Sequence, residues 1–126
     1  MGVFACVACA GVAALGLVAC SSDAGGLPSG TGDWYNVSLL NEPGSQTYPI
    51  VTFTYLMVYQ DLGKAYGGSL TQVQAQELVS FLWWITHTGQ NDSAGLFYVP
   101  LPASVVAVDV TGIGDIMYNG APLKSH

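Results

Sequence analysis

Side chains able to do chemistry are few in this sequence, and most stand apart from one another. Cys6 and Cys9 make a Cys-x-x-Cys, a spacing at which two thiolates can share a zinc ion or form a redox pair. Both sit inside an uncharged hydrophobic run with no second pair and no nearby His, so neither reading gathers its remaining partners. His87 follows an apolar stretch of helical periodicity. In the last turn of that helix an imidazolium would meet the negative end of the dipole, and no second His or Cys lies at ligand spacing. Trp83-Trp84 suggests a sugar platform or an aromatic cage, yet adjacent helical residues point about 100° apart. That divergence assigns the pair to core packing with a partly exposed edge. No Gly-x-Ser-x-Gly elbow and no nucleotide-binding glycine pattern tied to strand and helix is present. The residues point to no enzyme, no metal and no cofactor.

The elements that must position these residues belong to a chain of 126 residues, enough for one domain. Lys64 and Lys124 are its only basic side chains other than histidine, against 8 Asp and Glu, for a formal net charge of −6. Without a basic surface to neutralise phosphodiesters, nucleic-acid binding is excluded. A hydrophobic content of 51% equally excludes a disordered acidic tail, which combines high net charge with few apolar residues.

Residues 1–19 carry no charged side chain and read as a hydrophobic export segment or a short membrane anchor. Leu17-Val18-Ala19-Cys20, followed by Ser21-Ser22-Asp23-Ala24-Gly25-Gly26, resembles the lipobox and polar tether of a bacterial-type lipoprotein. In that reading Cys20 is the lipidated first residue of the mature chain, and diacylation gives the two-chain anchoring that one fatty chain does not supply. The segment lacks the Lys or Arg with which signal peptides normally open. Removal of the segment would take Cys6 and Cys9 with it and leave no disulfide.

From Leu27 to Pro49 the Gly, Pro, Asn and Ser clusters mark loops, with Trp34–Leu40 packing as a local strand or turn. Ile50–Tyr59 is almost wholly β-branched or aromatic, with bulk on both faces, which predicts a strand buried on two sides in a parallel or mixed sheet. Gln60–Lys64 then reads as a loop. A helix is expected from Thr71, where Thr71 and Gln74 have capping-box spacing, to a stop at Gly89. Leu78, Leu82 and Ile85, widened by Phe81 and Trp84, form its expected inward stripe. A last helix, with Pro102 in its first turn, should run to about Thr111 before β-branched residues and glycines weaken it.

Three blocks in order carry a resemblance: Tyr48-Pro49-Ile50-Val51-Thr52-Phe53-Thr54-Tyr55-Leu56-Met57-Val58-Tyr59, then Phe81-Leu82-Trp83-Trp84 with His87-Thr88-Gly89-Gln90, then Tyr98-Val99-Pro100-Leu101-Pro102 with Val105-Val106. Together they resemble the C-terminal part of the phosphate-binding proteins of phosphate ABC importers, over roughly 27–120. The resemblance implies an α/β fold: a partial lobe of a periplasmic-binding-protein-like (type II, Venus-flytrap) fold, with one long buried strand followed by helices. It implies inorganic phosphate as family ligand and ABC permease subunits as partners. Location would be periplasmic or extracytoplasmic, with the membrane reached through the lipid anchor or the N-terminal hydrophobic segment.

Members of that family hold the oxyanion between two lobes with backbone N–H groups, hydroxyls, an Arg and an Asp, drawn from segments that have no counterpart here. Ser29, Gly30 and Thr31 match a family Ser-Gly-Thr and are the phosphate-binding candidates. The chain has no Arg, and no apolar helical run follows Thr31 to offer a helix N-terminus, so a connecting loop is the favoured reading. The expected organisation is a signal and lipobox segment over 1–20, a polar tether and loop region over 21–47, and a lobe segment over 48–122. The expected function is that of an incomplete phosphate-binding component unable to bind phosphate alone. The alternative is a small membrane-anchored envelope protein acting as an interaction or structural module without its own ligand.

Overall fold

A computed structural model describes residues 2–10, 27–35, 37–38, 52–96 and 98–124 of the chain. Cys20, its lipobox and tether, and residues 39–51 lie outside the described residues. The described parts form a mixed α/β structure with a small sheet and helices.

The expected strand forms over Thr52–Tyr59 (β2), where β-branched and aromatic residues favour a pleated backbone. Its partner is strand β1, Gly2–Ala10, paired antiparallel from Gly2 opposite Tyr59 to Ala10 opposite Thr52, with a register shift between Cys6 and Ala8. Half of the segment read as an export signal is thus extended and hydrogen-bonded to β2. The expectation of burial on both faces is corrected here. Thr52, Thr54, Leu56, Met57 and Tyr59 are exposed, and only Phe53 is fully buried. In a two-stranded antiparallel sheet among the described residues, β2 is covered only in part on each face: Phe53 enters the smaller hydrophobic cluster and Val58, on the opposite face, packs against the larger.

Beyond β2 the expected loop contains a five-residue helix, Leu62–Tyr66 (α1), capped by Asp61. Helix α2, Gln72–Thr86, begins as its sequence requires: Thr71 Oγ1 accepts from Gln74 N (3.3 Å) and Gln74 Oε1 from Thr71 N (2.9 Å). Its inward stripe, however, is Ala75, Val79, Leu82 and Thr86, while Phe81 and Trp84 are exposed and Leu78 and Ile85 half-buried. A sequence apolar nearly all round does not fix which face turns inward. Thr86 is tolerated there because its hydroxyl donates back to the Leu82 and Trp83 carbonyls, each 3.1 Å away. The helix ends before the expected Gly89, at a cap on His87, and a short 3₁₀ segment follows over Thr88–Asp92.

Helix α3, Ala103–Gly114, runs three residues past the expected end, with Pro102 as its cap rather than within its first turn. Burial of Val105, Gly112 and Ile113 supplies the packing that local propensity withholds. The chain closes with the hairpin of β3 (Met117–Tyr118) and β4 (Ala121–Pro122). Asn119 and Gly120 both take positive φ, 52° and 82°, the conformation of a type I′ turn.

Two hydrophobic clusters result. One gathers Leu62, Ala75, Val79, Leu82, Ile113, Ile116 and Leu123 from α1, α2, α3 and the C-terminal segment. The other joins Trp34, Phe53, Leu101 and Val105 from a loop, β2 and the start of α3.

Candidate functional site

The candidate residues Ser29, Gly30 and Thr31 lie in a turn closed by Gly32 N donating to the Ser29 carbonyl at 2.8 Å. Trp34 Nε1 donates to the same carbonyl at 2.9 Å, which ties the turn to the smaller cluster. Gly30 is buried against α3: a Cβ there would lie 2.6 Å from the Gly112 Cα. The residue is glycine because two backbones meet at that point. Among the described residues 32–35 and 37–38 no helix starts, so these residues offer no array of free helical N–H groups to an anion.

Among the described residues the densest polar constellation is centred on Asp61, in the segment expected to be a plain loop. Its Oδ1 accepts from Lys64 N (3.1 Å) and Asn119 N (2.8 Å), and its Oδ2 from Gly120 N (2.9 Å). Lys64 Nζ stands 3.3 Å from Oδ2. Partial burial raises the Asp61 carboxyl, but the N–H groups of Lys64, Asn119 and Gly120 and the Lys64 ammonium outweigh it and hold the group below its ordinary value. Gly63 permits the arrangement, since a Cβ there would lie 2.8 Å from Asn119 N. Successive N–H groups in a turn of this kind form an anion-binding concavity. Here the concavity is filled by the protein's own carboxylate.

An open cleft of about 420 Å³ adjoins this clamp, lined by Tyr59, Gln60, Asp61, Lys64, Ala65 and Met117. Its one cation, Lys64, is matched by Asp61, so the cleft has no net positive charge to attract an oxyanion. Asn119-Gly120 is the dipeptide that marks hairpins in sequence, and it is the signal that could have drawn attention to this end of the molecule.

At the far end of α2 the aromatic residues separate as helical geometry requires. Trp83 stacks on His87 (centroids 4.0 Å, planes 16° apart), while Trp84 lies nearly parallel to Phe81 (6.2 Å, 16°). The expected divergence of Trp83 from Trp84 therefore holds, and each indole finds a partner one turn away. His87 Nδ1 stands 2.9 Å from the Trp83 carbonyl and 3.0 Å from Thr86 Oγ1; it forms part of the helix end. Phe81 and Trp84 are 52% and 48% exposed, which makes them the surface side of the helix. Among the described residues, no group of three or more His, Cys, Asp or Glu could hold a metal ion, and no helix is long and apolar enough to cross a membrane.

Over 80 residues the chain is 32% identical to the "Phosphate-binding protein PstS" of Methanocaldococcus jannaschii. The match takes in 62% of this chain and 20% of that protein, so the chain spans about a fifth of the length of the relative it matches. The relative is named for binding phosphate. No family model matches the chain, and no solved structure matches it.

Proposed function

We propose that the chain is a partial segment of an extracytoplasmic phosphate-binding component of an ABC importer, anchored through a lipidated Cys20 or through a retained N-terminal hydrophobic segment, that does not hold phosphate by itself. The similarity to a named phosphate-binding protein over 80 residues carries the phosphate assignment. Three features support the second half. Arg, the side chain best suited to bidentate oxyanion contact, is absent from the chain. The Ser29–Thr31 turn is engaged with α3 and Trp34. The N–H groups of Asn119 and Gly120 are already taken by Asp61. Phosphate capture then requires polypeptide beyond this segment to enclose the ion.

Calorimetric titration of the full chain with phosphate, with sulfate as control and circular dichroism to establish folding, tests the reading. The expected result is no saturable heat from the folded chain. Stoichiometric, phosphate-selective heat would overturn it and return Ser29 and Thr31 to the centre of the site. A second reading, a ligand-free interaction module, is favoured by the exposed Phe81–Trp84 pair. It predicts that phosphate stays unbound even when polypeptide supplying the remainder of a phosphate-binding protein is added.

A further inference from the structure

The N-terminal hydrophobic segment is offered two incompatible positions. In the folded chain Gly2–Ala10 supplies eight pairs of the β1–β2 ladder and is the partner strand of β2 among the described residues. Helices α3 and α2 both lie against it. The same residues open a stretch, 1–19, without a charged side chain, within the ~17–25 residues that cross a bilayer as a helix. In hydrocarbon the backbone must satisfy its own N–H and C=O groups, whereas β1 satisfies them through β2. One segment cannot do both.

We infer that residues 2–10 are a detachable strap: docked on β2 in water, and released into a lipid bilayer when one is present, leaving the β2 edge bare. The driving forces oppose each other. Membrane insertion removes the whole apolar stretch from water, while docking gains the ladder and the contact with α3. Release costs the sheet its second strand, and a lone strand has no independent stability. Membrane engagement therefore loosens β2, whereas α2 keeps its own helical hydrogen bonds and the packing of Ala75, Val79 and Leu82 on Leu62, Ile113, Ile116 and Leu123. A bared edge of this kind is an acceptor for an extended segment of another polypeptide. This inference concerns the chain that keeps residues 1–19, and it does not depend on phosphate.

Hydrogen exchange on the full chain, with and without phosphatidylcholine vesicles, tests it. Without lipid, amides of 2–10 and 52–59 should be protected together. With vesicles, 52–59 should lose about tenfold in protection while 2–10 and 72–86 stay protected. Leu56→Pro, placed opposite Ala5 to disrupt the ladder from the β2 side alone, should lower the lipid concentration needed for half-binding. The amides of 72–86 report whether that variant remains folded, and the wild-type comparison stands without it. Unchanged protection of 52–59 on vesicles, free exchange of 2–10 without lipid, or no vesicle binding at all would overturn the strap.

Discussion

The two hydrophobic clusters differ in how their rims are closed. Around Leu62, Val79, Leu82 and Ile113, polar contacts distant in sequence join the chain to itself: Tyr118 Oη donates to the Leu70 carbonyl (2.8 Å), Gln76 Nε2 to the Lys124 carbonyl (2.6 Å), and the hairpin N–H groups to Asp61. Each bond links segments 48 to 59 residues apart. Around Trp34, Phe53, Leu101 and Val105, closure comes from edge-on aromatic contacts of Tyr55 with Trp34 and Phe53 (6.0 and 6.1 Å) and from the Gln90 side chain, whose Oε1 receives Leu101 N at 2.8 Å. In the first region caps and hairpin meet on one side of the core, and β2 reaches it through Val58. The second is a loop and a two-stranded sheet leaning on one end of α3, and Leu56 and Met57 of β2 remain exposed.

The contrast can be broken most forcefully at Leu82, 1% exposed in the closed cluster. Leu82→Ala should cost about 2–5 kcal/mol, read as a lowered urea midpoint with unchanged slope. A loss confined to α2, with the rest of the chain unaffected, would show that the two clusters are separate cooperative units. Gly30→Ala acts on the other side. Its Cβ has nowhere to go while Gly112 stays in place, so the turn should lift from α3 at about 1–3 kcal/mol. Red-shifted Trp34 emission should accompany it, with protection of α2 amides unchanged.

Acid sharpens the comparison further. The folded-state carboxyl of Asp61 is held below 3.8, so its contribution is full above that unfolded-state value and is lost as pH falls through the lower, folded one. Melting temperature should therefore drop below about pH 4, and Asp61→Asn should remove part of that acid dependence. An identical pH profile in the variant would show that the clamp is electrostatically silent. The smallest effect belongs to the exposed aromatic side of α2: Trp84→Ser should change stability by no more than about 0.5 kcal/mol in the isolated chain. A larger loss would move Trp84 into the core.

Where a signal is local, the sequence announces the structure well. Thr71 and Gln74 cap α2 through contacts three residues apart, Trp34 goes inside, and Pro102 stands at the entry of α3. Where a choice depends on distant chain, it does not. Ala75, Val79 and Thr86 face inward in place of Phe81 and Trp84 because α1 and the C-terminal segment cover that side, and an almost uniformly apolar helix records no preference. The pairing of β2 with residues 2–10 joins segments about 50 positions apart, and a hydrophobic run that suits a membrane also suits a strand. The Asp61 clamp is invisible for a related reason: its donors, Asn119 and Gly120, are 58 and 59 residues away. The Ser29–Thr31 motif shows the opposite failure, a three-residue string whose meaning is set by the neighbouring chain and not by its own letters.

The three tryptophans occupy three optical environments. Trp34 is buried among apolar neighbours, Trp83 lies under an imidazole ring, and Trp84 is half in water beside Phe81. Their emission should resolve into a blue component, a component quenched by its stacked neighbour, and a red component open to soluble quenchers. The chain thus carries its own colour-coded report: the blue band follows the loop-and-sheet region, and the other two follow the end of α2. Departure of one region before the other would appear as a change in spectral shape before any change in total helix signal, without a label attached anywhere.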